Sequence, residues 1–375
     1  MKLIALKDVC KINMGQSPNS SSYNDYGDGM PFFQGNADFG ERYPITRVWC
    51  NTPTKIAQAE DILISVRAPI GALNYAKEEC CIGRGLAAIT PDRNKVSQDF
   101  IYWALKGKKA ELNDKGNGST FKAISRKVLE ETMIPDINFE QQHKCAENLE
   151  KIYGIIQNRR KELLALDDLI KARFVEMFGD MIINPNGWGK VLLGEACDVR
   201  DGTHDSPKYF TDGYPLVTSK NVTGGKIDFA DCSLICEEDY NKINQRSKVD
   251  MGDILMPMIG TVGNPVIVDI EAEFAIKNVA LIKFRENSTV INSFVKALLE
   301  SDYFDRAVIS KVRGGTQKFI SLGDIRKLEI CLPPIAVQEQ FSDFAKQVDK
   351  SKVAVQKALD ETQTLFDSLM QEYFG

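Results

Sequence analysis

Apolar residues along this chain follow two spacings, and the two alternate twice. Leu149, Ile152, Ile156, Leu163, Leu166, Ile170 and Met177 recur at steps of three, four or seven, and so do Phe341, Phe344, Val348, Val355, Leu359, Thr362, Phe366, Leu369 and Tyr373. That period marks a helix with a narrow apolar seam seeking a partner helix. Ahead of each seam lie short apolar runs, "DILIS" from Asp61 and "DILMP" from Asp253, which predict strands. Asn138 with Gln141 three residues on makes a capping box, and Pro135 resists helix before it, so the first long helix is expected to start near residue 138. "FGD" at 178–180 and "NPNGWG" at 184–189 end it. About 38 residues at 1.5 Å rise give a helix roughly 57 Å long, more than a small module needs, and the helix reads as a spacer.

The alternation is a duplication. "ALKDVCKI" from Ala5 corresponds to "LLGEACDV" from Leu192, "DGMPFFQGNADFG" from Asp28 to "DGYPLVTSKNVTGG" from Asp212, and "EDILISVRAPIG" from Glu60 to "GDILMPMIGTVG" from Gly252. "CIGRGLAAI" from Cys81 matches "FAIKNVALI" from Phe274, "GSTFKAIS" from Gly118 matches "GGTQKFIS" from Gly314, and "IPDINFEQQ" from Ile134 matches "LPPIAVQEQ" from Leu332. The offset drifts from 184 to 198 residues, which is one duplication with loop-sized insertions. The expected layout is a mixed strand and helix module over 1–137, a helix over 138–180, a second module over 181–335 and a second helix over 336–375. Two seams of similar length, each closing a repeat, predict an antiparallel pair in which Leu149, Ile152, Ile156, Leu163, Leu166 and Ile170 face Phe344, Val348, Val355, Leu359, Phe366 and Leu369, with the modules related by a pseudo-twofold.

Composition narrows the function. A net charge of −5 over 375 residues argues against coating nucleic acid by bulk positive charge, while leaving local basic faces open. Nine scattered cysteines fit reduced thiols, and Cys232 and Cys236 with only His143 and His204 make a poor zinc site. No apolar run spans a bilayer and the opening "MKLIALKDVC" is too short and charged for a signal peptide, so a cytoplasmic location is expected. Walker A, dinucleotide and Gly-x-Ser-x-Gly signatures are absent, as is the Asn/Asp-Pro-Pro-aromatic signature of amino-methyltransferases; Pro91-Asp92 has no Glu-x-Lys to complete a nuclease pattern. His204 in "DGTHDSP" reads as a turn residue satisfied by Asp201 or Asp205, though it could reach a base edge.

Two repeated loops point to nucleic acid. "GNGSTFK" and "KVRGGTQK" join glycines, which let a backbone approach phosphate, with donors for phosphate or base edges: Ser119, Thr120 and Lys122 in the first, Arg313, Thr316, Gln317 and Lys318 in the second. Arg67, Arg84, Lys220 and Lys277 lie in repeated strand and loop segments where a sheet could aim them into a groove. Arg67 and Arg84 have no arginine counterparts in the second copy, which has "MIGTVG" and "IKNVALI" there.

Together "SVRAPIGALNY", "IGRGLAAI", "GSTFKAIS", "RGGTQKFIS", "IPDINFEQQ" and "LPPIAVQEQ", in this order and followed by long helices, resemble the specificity subunits of type I restriction-modification systems over essentially the whole chain. The resemblance implies an α+β fold: two target-recognition domains separated by an antiparallel two-helix coiled coil, each reading one half of a split DNA site. It implies a non-catalytic subunit that assembles with two methyltransferase subunits and with restriction subunits, so that S-adenosylmethionine, ATP and Mg2+ are expected on the partners and no cofactor or metal on this chain. The rivals are a specificity subunit of a fused cutting-and-methylating enzyme, a self-sufficient nuclease or methyltransferase, and a coiled-coil adaptor for proteins alone. Target bases and spacer length are not written in the sequence.

Overall fold

The structure, a computed structural model, describes residues 2–117, 122–259, 262–308 and 319–375. It divides into two compact units, one of Met1–Arg160 with Lys357–Gly375 and one of Lys161–Gln356. Both long helices, Phe139–Phe178 and Ile335–Phe374, therefore contribute one part to each unit.

The first unit is built on a four-stranded antiparallel sheet in the order Cys10–Met14, Leu86–Pro91, Ile62–Ser65, Leu73–Tyr75. Ile62, Leu63 and Ile64 are all fully buried, which is why the sequence there is continuously apolar rather than alternating. A second sheet runs Tyr23–Asn24, Trp49–Cys50, Met30–Phe33, Cys80–Ile82, Ile56–Ala57, and its Met30–Phe33 and Cys80–Ile82 strands are parallel. Helix Gln98–Gly107 presents Phe100 and Trp103 to the two long helices: Trp103 meets the rings of Tyr153 at 5.5 Å and Phe366 at 5.7 Å, and Phe100 meets Phe374 at 5.6 Å. Lys106, on the same helix, holds its ammonium 3.5 Å from the Tyr153 ring centroid and 4.7 Å from that of Trp103, a cation–π contact that ties module to long helix. Asn148 donates to Tyr373 Oη at 3.4 Å and Arg160 to Gln363 Oε1 at 3.4 Å, so the helices run antiparallel in this unit.

The second unit repeats the plan. Its four-stranded antiparallel sheet runs Asp198–Asp201, Val279–Lys283, Ile254–Pro257, Val266–Ile267, and its second sheet again holds one parallel pair, Tyr214–Val217 with Ala275–Ile276. Phe174 and Phe178 of the first long helix pack on Phe341 of the second at 5.7 and 5.4 Å and on Phe294 at 5.8 and 4.9 Å. Lys352 pairs with Asp167 at 2.6 Å, which again sets the helices antiparallel. Of the seam residues, Leu149, Ile156, Val348, Leu359 and Phe366 are buried, and Ile152, Leu163, Leu166, Ile170, Phe344, Val355 and Leu369 are half-buried.

Hydrogen-bond registers fix the duplication and correct it in two places. The strand Met133–Pro135 pairs Leu3 with Pro135, and Glu329–Cys331 pairs Lys190 with Cys331, so Pro135 corresponds to Cys331 and the ungapped match of Ile134 to Leu332 is two residues out. The buried Gln142 shows the same shift. Its Oε1 accepts from the Ser97 N–H at 2.7 Å and its Nε2 donates to the Ile137 carbonyl at 2.8 Å. Its equivalent is Gln338, not Gln340: Gln338 accepts from the Ile291 N–H at 2.9 Å and donates to the Thr289 and Pro333 carbonyls at 3.0 and 2.9 Å. The second correction concerns Arg84 and Lys277. Gly83 and Lys277 make the equivalent bond, to the carbonyls of Phe33 and Val217, while Leu86 and Val279 accept from Gly15 and Gly202. The first copy thus carries one extra residue between these points, and Arg84 does not stand where Lys277 does.

Each glutamine locks the start of a long helix to the start of the helix that packs on it. Replacing Gln338 by alanine removes the partner of the half-buried Ile291 N–H and of the Thr289 and buried Pro333 carbonyls, and is expected to cost about 1–3 kcal/mol in denaturant unfolding. The exposed Gln340→Ala, two residues along, is the control and is expected to cost less than about 0.5 kcal/mol.

Candidate nucleic-acid interface

In both units the candidate residues that the structure describes gather at one end of the four-stranded sheet. In the first unit the ladder pairs Leu86 with Ser65, and the Val66 N–H then bonds the Gly85 carbonyl at 2.9 Å. Arg67 and Arg84 are the next residue on either strand. Arg67 is bridged on its other side to Ala123, the Ala68 N–H bonds the Lys122 carbonyl at 3.0 Å, and the Ile124 N–H bonds the Val66 carbonyl at 2.9 Å. Arg67, Arg84 and Lys122 are exposed and come to this edge together, and among the described residues none of them has a carboxylate at ion-pairing distance. Ser125, which ends the "GSTFKAIS" loop, caps the helix Arg126–Glu130.

The second unit fills the equivalent edge differently. Ile259 is bridged to Phe319 as Arg67 is to Ala123, the Ile320 N–H bonds the Met258 carbonyl at 2.9 Å, and Ser321 caps Leu322–Arg326. Lys277 is half-buried and donates to Ser206 Oγ at 2.6 Å. Lys220 is exposed on a turn closed by Asn221, whose Oδ1 accepts from the Thr218 N–H at 3.0 Å and hydroxyl at 2.8 Å. Lys220, Lys277, Ile259 and Tyr209 share an open groove of about 650 Å³ with Asp228 and Asp231. Ser119, Thr120, Arg313, Thr316, Gln317 and Lys318 lie outside the described residues.

His204 is held by Asp201, as its place in the turn predicts, and also by Asn278, which the sequence did not indicate. Its Nε2 lies 2.8 Å from Asp201 Oδ2 and its Nδ1 2.7 Å from Asn278 Oδ1, so a ring in a loop beside Lys277 is fastened from both sides. Asp201 in turn accepts from Arg246. The bond to Asn278, then that to Asp201, raises the imidazole above its ordinary value of 6.5, since a ring that donates from both nitrogens is the cation. Asn278 sits at φ 55°, the left-handed region that asparagine tolerates.

The chemistry available is recognition. The edges offer guanidinium, ammonium, amide and apolar groups on fixed backbone, which suits phosphate and base-edge contacts. Among the described residues no group of three or more histidines, cysteines and carboxylates is placed to hold a metal ion. Burial pushes the thiols of Cys10, Cys80, Cys145 and Cys197 up to about 12, away from nucleophilic use.

The raised His204 pKa means that the charged ring stabilises the fold fully below about 6.5 and loses that contribution as pH rises through the folded-state value. Only two histidines are present, so their NMR titrations are separable. His204 is expected to titrate above 6.5, and His204→Gln to remove this part of the loss of stability with rising pH; titration at or below 6.5 contradicts the doubly bonded ring.

The family described as "Type I restriction modification DNA specificity domain" matches residues 1–165 and 185–362, one match per repeat. The putative type I restriction enzyme MjaX specificity subunit of Methanocaldococcus jannaschii is 47% identical over 152 residues, covering 40% of this chain and 36% of that protein, so the match spans about a third of that relative. The type I restriction enzyme EcoBI specificity subunit of Escherichia coli is 22% identical over 413 residues, covering 99% of this chain and 85% of that protein. In fold, the S subunit of a type I restriction-modification system from M. genitalium superposes with a TM-score of 0.60 at 16% identity, covering 100% of this chain and 96% of the other. With family matches over both repeats and a sheet edge of matching construction in each, this chain belongs to the type I restriction-modification DNA specificity family.

Proposed function

We propose that the chain is the non-catalytic, sequence-reading subunit of a type I restriction-modification complex, in which each unit reads one half of a bipartite DNA site. The observation that carries this reading is the repeated sheet end: the same hydrogen bonds build it twice, yet Arg67 in one copy is Ile259 in the other. Two heads of one construction with different tips are what a split, unequal target requires. Their donors supply base contacts and salt-dependent phosphate affinity.

The same reading assigns the chemistry to partners. Two methyltransferase subunits would bring S-adenosylmethionine, and restriction subunits ATP and Mg2+. A chain of net charge −5 is poorly suited to hold a duplex alone, so the methyltransferases supply most of the positive channel. One of the solved structures similar to this chain, at 44% identity over 41% of it, a TM-score of 0.38 and 38% of its own length, is described as a study of complex assembly in a type I system. The long helices, 40 residues each, set the number of unread base pairs between the half-sites.

Two outcomes test this. The chain alone, incubated with DNA, Mg2+ and labelled S-adenosylmethionine, is expected to neither cleave nor methylate, and to bind target DNA weakly until its methyltransferase is added; catalysis by the chain alone contradicts the reading, as does tight selective binding without a partner. Insertion of one heptad into both long helices is expected to lengthen the unread spacer in the methylated motif read by methylome sequencing, and an unchanged spacer removes the ruler role.

A further inference from the structure

We propose that Arg67 and Arg84 are specificity residues that read guanine by its O6 and N7 edge in the major groove, an assignment that rests on the DNA-reading role above. Both backbones are fixed, and among the described residues neither side chain has a carboxylate partner. Arg84 sits between two glycines, and at Gly85 only glycine fits, because a Cβ there would come within 2.4 Å of the Gln34 carbonyl oxygen; a Cβ on Gly83 would meet the Gln34 side-chain Oε1 at 2.5 Å, which would have to move. Its own N–H donates to Ser17 Oγ at 3.3 Å. Arg67 is held on both sides by the Val66 to Gly85 bond and by its bridge to Ala123.

Three other surface arginines of this unit are neutralised, Arg42 by Glu150 at 2.6 Å, Arg93 by Glu60 at 2.8 Å and Arg126 by Glu130 at 2.7 Å, while exposed Arg47 is without a carboxylate at ion-pairing distance among the described residues. Arg67 and Arg84 lack such a partner among the described residues and share a sheet end with Lys122. Like charges gathered on neighbouring strands oppose one another, and an acceptor-rich ligand relieves that. A phosphate clamp would be needed by both heads, yet at this place the second unit has Ile259, and its Lys277 is engaged by Ser206. A planar fork on rigid backbone, present at this edge in one head only among the described residues, matches the paired acceptors of guanine.

The test uses the chain with its methyltransferase on its target duplex, each guanine replaced in turn by 7-deazaguanine, which lacks the N7 acceptor. At one or two guanines of a single half-site the wild type is expected to lose about 10-fold in affinity. Arg67→Ala or Arg84→Ala should abolish that penalty and admit adenine there; Arg67→Lys should keep the salt dependence but lose the guanine preference, and Arg42→Ala should change neither. Insensitivity of the wild type to every 7-deazaguanine overturns the proposal. So does an equal weakening of all duplexes by both alanine variants with a shallower salt slope, the mark of phosphate contacts. A wild-type complex with no sequence preference at all overturns the DNA-reading role itself, and this assignment with it.

Discussion

A helix of 40 residues with an apolar stripe cannot be stable in water unless the stripe is covered, and here each stripe is covered by the other in an antiparallel pair. In one unit Leu149, Ile156, Leu359 and Phe366 supply the buried seam, in the other Phe174, Phe178, Phe341 and Val348. Each module then docks on the pair through one helix, with Phe100 and Trp103 in the first unit and Phe294 in the second. The modules depend on this arrangement, because those large aromatic side chains bury part of their surface against the long helices. The buried Gln142 and Gln338 fix the start of each long helix against its own module, since each amide bonds the backbone at the start of the module helix that packs there.

From that base the reading edges follow. The sheet of each unit is anchored through its core to the helix pair, which leaves one end free to carry exposed groups on backbone that is bonded on both sides. Such an end tolerates change at its tips, because Arg67, Lys122 and Phe319 are exposed and the hydrogen bonds that hold them belong to the main chain, while Ile259 is half-buried against its unit's core. Specificity can therefore be altered without disturbing stability, which separates the evolution of the tip from that of the scaffold.

The sequence carried the large features well because they rest on periodicity and repetition. The heptad seams, the capping box of Asn138 and Gln141, and the strand of "DILIS" are all local patterns, and each appears in the structure. What could not be read was register. Matching letters aligned Ile134 with Leu332, but hydrogen bonds align Pro135 with Cys331, because a strand is equivalent by what it pairs with and not by what it spells. Gln142 and Gln338 were invisible for the same reason: a glutamine near a helix start looks solvated until its depth is known. The links from His204 to Asn278 and from Lys106 to Tyr153 join residues far apart in the chain, and no spacing rule marks them.

The division between reading and reacting has a physical basis in this chain. Catalysis on DNA needs carboxylates or a low-pKa nucleophile where charge develops, whereas reading needs donors that stay charged and unpaired until DNA arrives. Carboxylates placed beside Arg67 and Arg84 would neutralise the donors, and the exposed tip would expose any intermediate to water. A surface that must change its sequence preference freely cannot also hold a catalytic geometry to a fraction of an ångström. Under the proposed function, a reader that borrows its chemistry from partners would escape that conflict, and Arg67 and Arg84, without a carboxylate partner among the described residues, would be the form which that solution takes in this molecule.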